Sequence, residues 1–136
     1  MNRAMGIDLG DARVGVAASD DLGMLAHPVE TIQVKSGRVV RRILEIAAEK
    51  GTQTIVVGMP RNMDGTFGPA AQKARDFIEA LKLETACRVV PWDERLTTVS
   101  AQRSLHEAGK NARDQKAMID QVAAQILLQS WLDSQA

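Results

Sequence analysis

Three carboxylates in this sequence sit where an acid is costly. Asp8 lies inside Ala4-Met5-Gly6-Ile7-Asp8-Leu9, a short and mostly apolar run. An ionised carboxylate there needs compensation. A salt bridge to Arg13, or hydrogen bonds from the turn Leu9–Ala12, would supply it. Glu94 follows the run Arg88-Val89-Val90-Pro91-Trp92-Asp93. Sheets with parallel strands gather their sites outside the carboxyl ends of those strands. A solvated strand end with a local ion pair is the plainer reading of Asp93-Glu94-Arg95. Asp120 is the sharpest signal. At about 100° per residue, Ala123, Ala124, Leu127 and Trp131 share its side of a helix, and Gln121, Gln125 and Gln129 form the other. An acid on a packing face needs a basic partner or a metal.

Converging carboxylates repel, and one would tend to protonate. A divalent cation removes the conflict, and oxygen-only ligands suit Mg²⁺ or Mn²⁺ rather than zinc. Such a site can activate water and stabilise the leaving oxygen of a phosphodiester. A second candidate is the loop Gly58-Met59-Pro60-Arg61-Asn62-Met63-Asp64-Gly65-Thr66. Its cation, amide and glycines suit a phosphate backbone. A turn closed by Asn62 and Asp64 would need no ligand. His27 and His106 read as peripheral, and Cys87 as a small core residue. No Ser/His/Asp arrangement and no P-loop is readable.

The elements that must carry these residues follow from periodicity. Ala4–Leu9, Val14–Ser19 and Ala26–Val34 read as strands, the first two close enough to pair antiparallel. Arg38–Lys50 reads as a helix with Val39, Val40, Ile43, Leu44 and Ala47 on its apolar face, ended by Gly51. Thr54–Gly58 is a buried-type strand, stopped by Met59-Pro60, and Arg61–Pro69 a loop. Ala70–Lys82 is a helix with Ala70, Ala74, Phe77, Ile78 and Leu81 inward. Cys87–Asp93 is a strand and Thr97–Ala108 a helix ended by Gly109. Lys110–Arg113 is a polar loop, and Asp114 can cap a last helix reaching about Leu132. The order βββ-α-β-α-β-α-α predicts an α/β fold. Its sheet is mixed and five-stranded, antiparallel in the first three strands and then parallel, with helices on both faces.

Composition narrows the classes. At 136 residues the chain is expected to form one domain. A hydrophobic content of 45% with 17 basic and 17 acidic residues is far from a disordered composition. No apolar run approaches a membrane span. Met1–Gly6 carries no signal-peptide core. The single cysteine excludes a disulfide framework and a cysteine-rich zinc site. A cytoplasmic protein is the expectation. Zero net charge argues against a polybasic coat, and four aromatic residues against a base-stacking platform.

Four blocks together carry a family resemblance. They are Gly6-Ile7-Asp8-Leu9-Gly10 with Arg13, Gly15 and Ala17; Val57-Gly58-Met59-Pro60 with Asn62-Met63-Asp64-Gly65; Asp93-Glu94-Arg95-Leu96-Thr97-Thr98; and Asp120 with Ala123-Ala124. Over essentially the whole chain the sequence resembles the YqgF/RuvX family of pre-16S rRNA nucleases, whose RNase H-like fold is related to the Holliday-junction resolvases. The first block alone also opens sugar kinases and actin-like ATPases. The resemblance implies an acidic site at Asp8, Glu94 and Asp120, the three acids that the burial argument selects. It also implies Mg²⁺ or Mn²⁺, phosphodiester hydrolysis and a structured nucleic acid as substrate. Many members carry Ser directly after the helical Asp, where Gln121 stands here, on the side turned away from the acid.

On that resemblance Asp8 and Glu94 would hold metal, and Asp120 would complete the site or orient the attacking water. Arg13, Arg61, Asn62 and Arg95 are candidate substrate contacts. Precursor rRNA is the favoured substrate, with the protein a monomer or homodimer. A resolvase cutting branched DNA would need a two-fold dimer. A binding module without turnover would act in EDTA, and an actin-like ATPase would need two lobes that 136 residues cannot supply. Three of the 17 acids would then belong to the metal cluster. Lys35, Arg38, Arg41 and Arg42 would join Arg61 and Arg95 near the site, giving modest, salt-sensitive binding through phosphates rather than stacked bases.

Overall fold

The computed structural model describes residues 3–60, 68–93 and 112–135, with the backbone alone over 112–118. Five strands, β1 (Ala4–Leu9), β2 (Arg13–Ser19), β3 (Ala26–Gln33), β4 (Thr54–Met59) and β5 (Arg88–Asp93), form one sheet in the order β3-β2-β1-β4-β5. β1 pairs antiparallel with β2, and β2 with β3. β4 runs parallel to β1, and β5 parallel to β4. The predicted meander followed by crossovers is therefore the observed topology. The helices are α1 (Val39–Lys50), α2 (Pro69–Glu84) and α3 (Ala112–Ser134). The predicted helix Thr97–Ala108 lies outside the described residues. No helix among the described residues is long and apolar enough to cross a membrane.

The two faces of the sheet are built from different residues. Alternation along β1 sends Met5 and Ile7 to one side and Ala4, Gly6 and Asp8 to the other. On the first side Met5, Ile7, Val14, Val16, Ile55 and Val57 pack with Ile43 and Ile46 of α1 and Ile78 and Leu81 of α2. These large side chains bury well and hold their helices at a distance. The other side offers Ala4, Ala17, Ala26 and Val56, met by Ala124, Leu127, Leu128, Trp131 and Leu132 of α3. Small residues there let α3 lie close to the sheet. α3 contacts β1, β2 and β3 most, so it crosses the antiparallel half.

Local chemistry sets the ends. Gly51 takes the left-handed conformation at φ 63 and its amide closes on Ala47 and Ala48, as its place after α1 predicts. The edge strands β3 and β5 carry Pro28 and Pro91, and β3 has a register break opposite Val16/Ala17. Proline and a bulge both blunt an edge against pairing with another chain.

Some expectations need correction. Val34 leaves β3 for a 3-10 turn, Val34–Ser36. Pro69 starts α2 at its first turn, so the buried stripe is Ala71, Ala74, Ile78 and Leu81, and Ala70 is exposed. Phe77 is half-buried. α3 begins at Ala112, so Asp114 lies within the helix rather than capping it, Ala112 and Arg113 are helical rather than loop, and the rest of the predicted loop Lys110–Arg113 lies outside the described residues. Cys87 precedes β5. It packs at the core margin with its Sγ 3.2 Å from the Thr52 carbonyl. His27 is exposed on β3, as expected of a peripheral histidine.

Candidate active site

Asp8 and Asp120 come together because of a glycine. Asp8 stands opposite Gly15 in the β1–β2 ladder, so the two share a face of the sheet. That is the α3 face. A β-carbon on Gly15 would overlap the backbone carbonyl of Asp120, so α3 rests directly on the strand there. One turn further along, a β-carbon on Gly6 would lie 2.7 Å from the Ala124 carbonyl oxygen and 2.8 Å from Leu128 Cβ. Two glycines thus seat successive turns of the helix. The strand acid and the helix acid thus both stand beside Gly15, on one face of the sheet near the carboxyl end of β1, and both residues are partly buried.

Arg13 enters the same face two residues before Gly15. Its Nε donates to Asp120 Oδ2 at 2.8 Å, with the Asp120 side chain only 15% exposed. Of the two arginine pairings weighed from sequence, the guanidinium serves Asp120 rather than Asp8. The pairing occupies one carboxylate oxygen and leaves Oδ1 outside the ion pair. Arg13 therefore fixes the Asp120 carboxylate.

The other expected residues divide cleanly. Glu94, Arg95, Arg61 and Asn62 lie outside the described residues, as do His106 and the loop beyond Pro60. Asp93 ends β5, and Trp92 stands level with Gly58 across the parallel ladder. The carboxyl ends of β1, β4 and β5 share one edge of the sheet. Among the described residues no three acids, histidines or cysteines form a metal-holding cluster. Of the candidate site residues, the structure describes Asp8, Asp120 and Arg13. A cavity of about 500 Å³ between α1 and α2, lined by Leu9, Val14, Val40 and Phe77, opens on the opposite face. On its rim Lys73 donates to Asp11 at 2.7 Å, and that ammonium holds the exposed Asp11 carboxyl below its usual range.

The glutamines of α3 form the side that the helical wheel sets apart from Asp120. They face β3. Gln121 Nε2 donates to Thr31 Oγ1 at 3.1 Å, and Gln125 Nε2 to the Ala26 carbonyl at 3.2 Å. Gln129 accepts from the Ala26 amide at 2.8 Å and donates to the Met24 carbonyl at 2.9 Å. This row ties the acid-bearing helix to the outer strand. Its signal was the i, i+4, i+8 repeat of one amide residue beside an apolar stripe.

With this geometry in view, the comparisons with known proteins are decisive for the family. The family model described as RuvX, Holliday junction resolvase, matches residues 2–134. The chain belongs to the RuvX family. Among curated relatives, a protein of Mycobacterium sp. (strain KMS) named "Putative pre-16S rRNA nuclease" is 54% identical to this RuvX chain over 138 residues, 96% of this chain and 79% of that one. A protein of the same name from Acetivibrio thermocellus is 45% identical over 135 residues, 97% and 96% of the two chains. The structure of T. thermophilus RuvC in complex with Holliday junction substrate superposes with a TM-score of 0.64 at 16% identity, covering 99% of this chain and 96% of that one. That likeness is one of fold, and it is the RNase H-like fold expected from the sequence.

Proposed function

We propose that this RuvX chain is a metal-dependent nuclease that hydrolyses phosphodiester bonds in precursor 16S rRNA. The observation that carries the reading is the seating of the Asp120 backbone on Gly15, directly across the ladder from Asp8. Two partly buried carboxylates from distant parts of the chain thereby share one strand end. An all-oxygen donor set of this kind fits a hard cation such as Mg²⁺ or Mn²⁺. Asp8, Asp120 and Glu94 are the residues that would hold it. When bound, the cation supplies charge stabilisation at a phosphoryl oxygen and a more acidic water. The protein's own groups do the positioning. Arg13 fixes the Asp120 carboxylate through Oδ2, and Oδ1 is left to orient the attacking water. Arg61, Asn62 and Arg95 are proposed contacts to the substrate backbone. The pre-16S rRNA substrate is supported by the names of relatives at 45–54% identity.

The family model's description favours a second substrate, branched DNA. Cutting opposite strands of a four-way junction requires a two-fold dimer. One experiment separates the readings. Purified wild type and Asp8→Asn are given Mn²⁺ with a precursor 16S transcript and, in parallel, a four-way DNA junction. Wild type is expected to cleave the transcript, and Asp8→Asn to lose that activity while keeping its circular dichroism spectrum and Tm. Cleavage by Asp8→Asn equal to wild type overturns the site. Junction cleavage alone, by a protein sedimenting as a dimer, replaces the rRNA reading with the resolvase one.

A further inference from the structure

The basic cluster noted in the sequence does not act as one unit. Arg42 is committed to structure. Its Nε and Nη2 donate to Glu30 at 2.9 and 2.8 Å, and its Nη1 lies 3.6 Å from Glu45 and 3.8 Å from Glu49. Lys35, Arg38 and Arg41 are different. All three are exposed, and none has a carboxylate within ion-pair distance among the described residues.

Their placement is costly for the helix they begin. Arg38 is the N-cap of α1 and makes no side-chain capping bond, and the first turn holds no acid. The amino end of a helix carries a partial positive charge, so a stable start favours Asp, Ser or Glu there and disfavours cations. Here two free guanidiniums add to that field. A local choice that works against the fold marks a surface kept for something else.

The cluster is also held in register with the acid pair. The 3-10 turn carrying Lys35 follows Gln33, which pairs with Arg13 across the β2–β3 ladder. The Val34 amide donates to the Ala12 carbonyl at 2.9 Å. Arg13 in turn holds Asp120. Gln33 therefore sits one strand spacing, roughly 5 Å, from Arg13, and Lys35 and the amino end of α1 follow it at the same end of the sheet as the acids, with Arg41 at the cavity between α1 and α2.

We infer that Lys35, Arg38 and Arg41 form a phosphate-binding track that holds the nucleic-acid backbone on the β3 side of the Asp8–Asp120 site. The inference rests on the nuclease reading above and adds where the substrate leaves the site. The acid pair would repel a phosphate backbone, and the track supplies the opposing attraction where the acids end. Its contacts are to phosphates flanking the reacting one, so they act on ground state and transition state alike.

The test uses a fluorescein-labelled precursor 16S transcript and the Asp8→Asn protein, so that binding is read without turnover. The triple variant Lys35→Gln/Arg38→Gln/Arg41→Gln in that background should bind at least ~10-fold more weakly at low salt. Its plot of log affinity against log salt should be shallower by about 2. In the catalytically intact background the same triple variant should raise KM with kcat little changed. Lys82→Gln, on the far end of α2, is the control and should leave the slope unaltered. Arg38→Asp should raise Tm by about 3 °C through better capping, while weakening binding. A purely structural role for Arg38 predicts the opposite sign in Tm. If the triple variant keeps the parent's affinity and salt slope, the track is overturned while the nuclease reading stands. If the parent neither binds nor, as wild type, cleaves the transcript, that reading fails and the inference falls with it.

Discussion

At the scale of single residues, the molecule's most informative contact is Arg13 Nε to Asp120 Oδ2 at 2.8 Å. A carboxylate proposed to bind a cation would gain from being fixed beforehand, because misplacement of about 1 Å can cost ~10²-fold in rate. Arg13→Gln is therefore expected to lower kcat by roughly 10- to 100-fold with a smaller change in KM. Single-turnover cleavage measures this. An effect confined to KM would return Arg13 to the role of a plain substrate contact. Asp8 and Asp120 stand out in the sequence as candidates, because a carboxylate within an apolar strand or on an apolar helix face is conspicuous. Arg13's partner was not. Only four residues separate it from Asp8, and that nearness suggested a pair. The strand turns back between them, and Arg13 lies instead beneath the helix that carries Asp120.

At the scale of elements, α3 and its seat decide whether a site exists. Gly15 leaves no room for a side chain against the Asp120 backbone. Gly15→Ala must lift the helix or bend the strand, and overpacking of this kind costs about 1–3 kcal/mol. Urea unfolding should show that loss. Cleavage should fall by more than the loss of folded protein explains, since the displacement falls on the acid pair. Unchanged stability and activity in Gly15→Ala would mean that the close seating is not required. Helix faces were read well from sequence where one neighbour dominates. Ala123, Ala124, Leu127 and Trp131 are buried against the sheet as the wheel predicts. The partner of the glutamine face was not legible, because a wheel shows which residues share a side and not what that side meets. α3 has two neighbours, the apolar centre of the sheet and the polar backbone of β3, and amides suit the second.

At the scale of the whole molecule, the five strands and the mixed sense of the sheet followed from chain order and connection length, which leave few topologies open. The closeness of the two acids was not readable that way, since it depends on a side chain missing from Gly15. Two bulk measurements follow. The Arg42 guanidinium holds the Glu30 carboxyl below its ordinary value of 4.5. A depressed carboxylate stabilises the fold above its unfolded value and loses that contribution as pH falls through the folded one. The Tm difference between wild type and Glu30→Gln should thus be full at pH 7 and shrink steadily in the acid range below about 4.5. A difference that persists unchanged at pH 2 would show that charge is not its source. Mg²⁺ or Mn²⁺ at millimolar concentration should raise the Tm of wild type by a few degrees, by mass action on the folded state. Asp8→Asn should lose most of that shift, and an equal shift in both proteins would remove Asp8 from the metal site. The contact between Arg13 and Asp120 spans 107 positions of chain. Asp8 is made early in synthesis and Asp120 late, and neither half of the pair is useful without the other. A growing chain thus carries no assembled acid site until the final helix has been translated and docked.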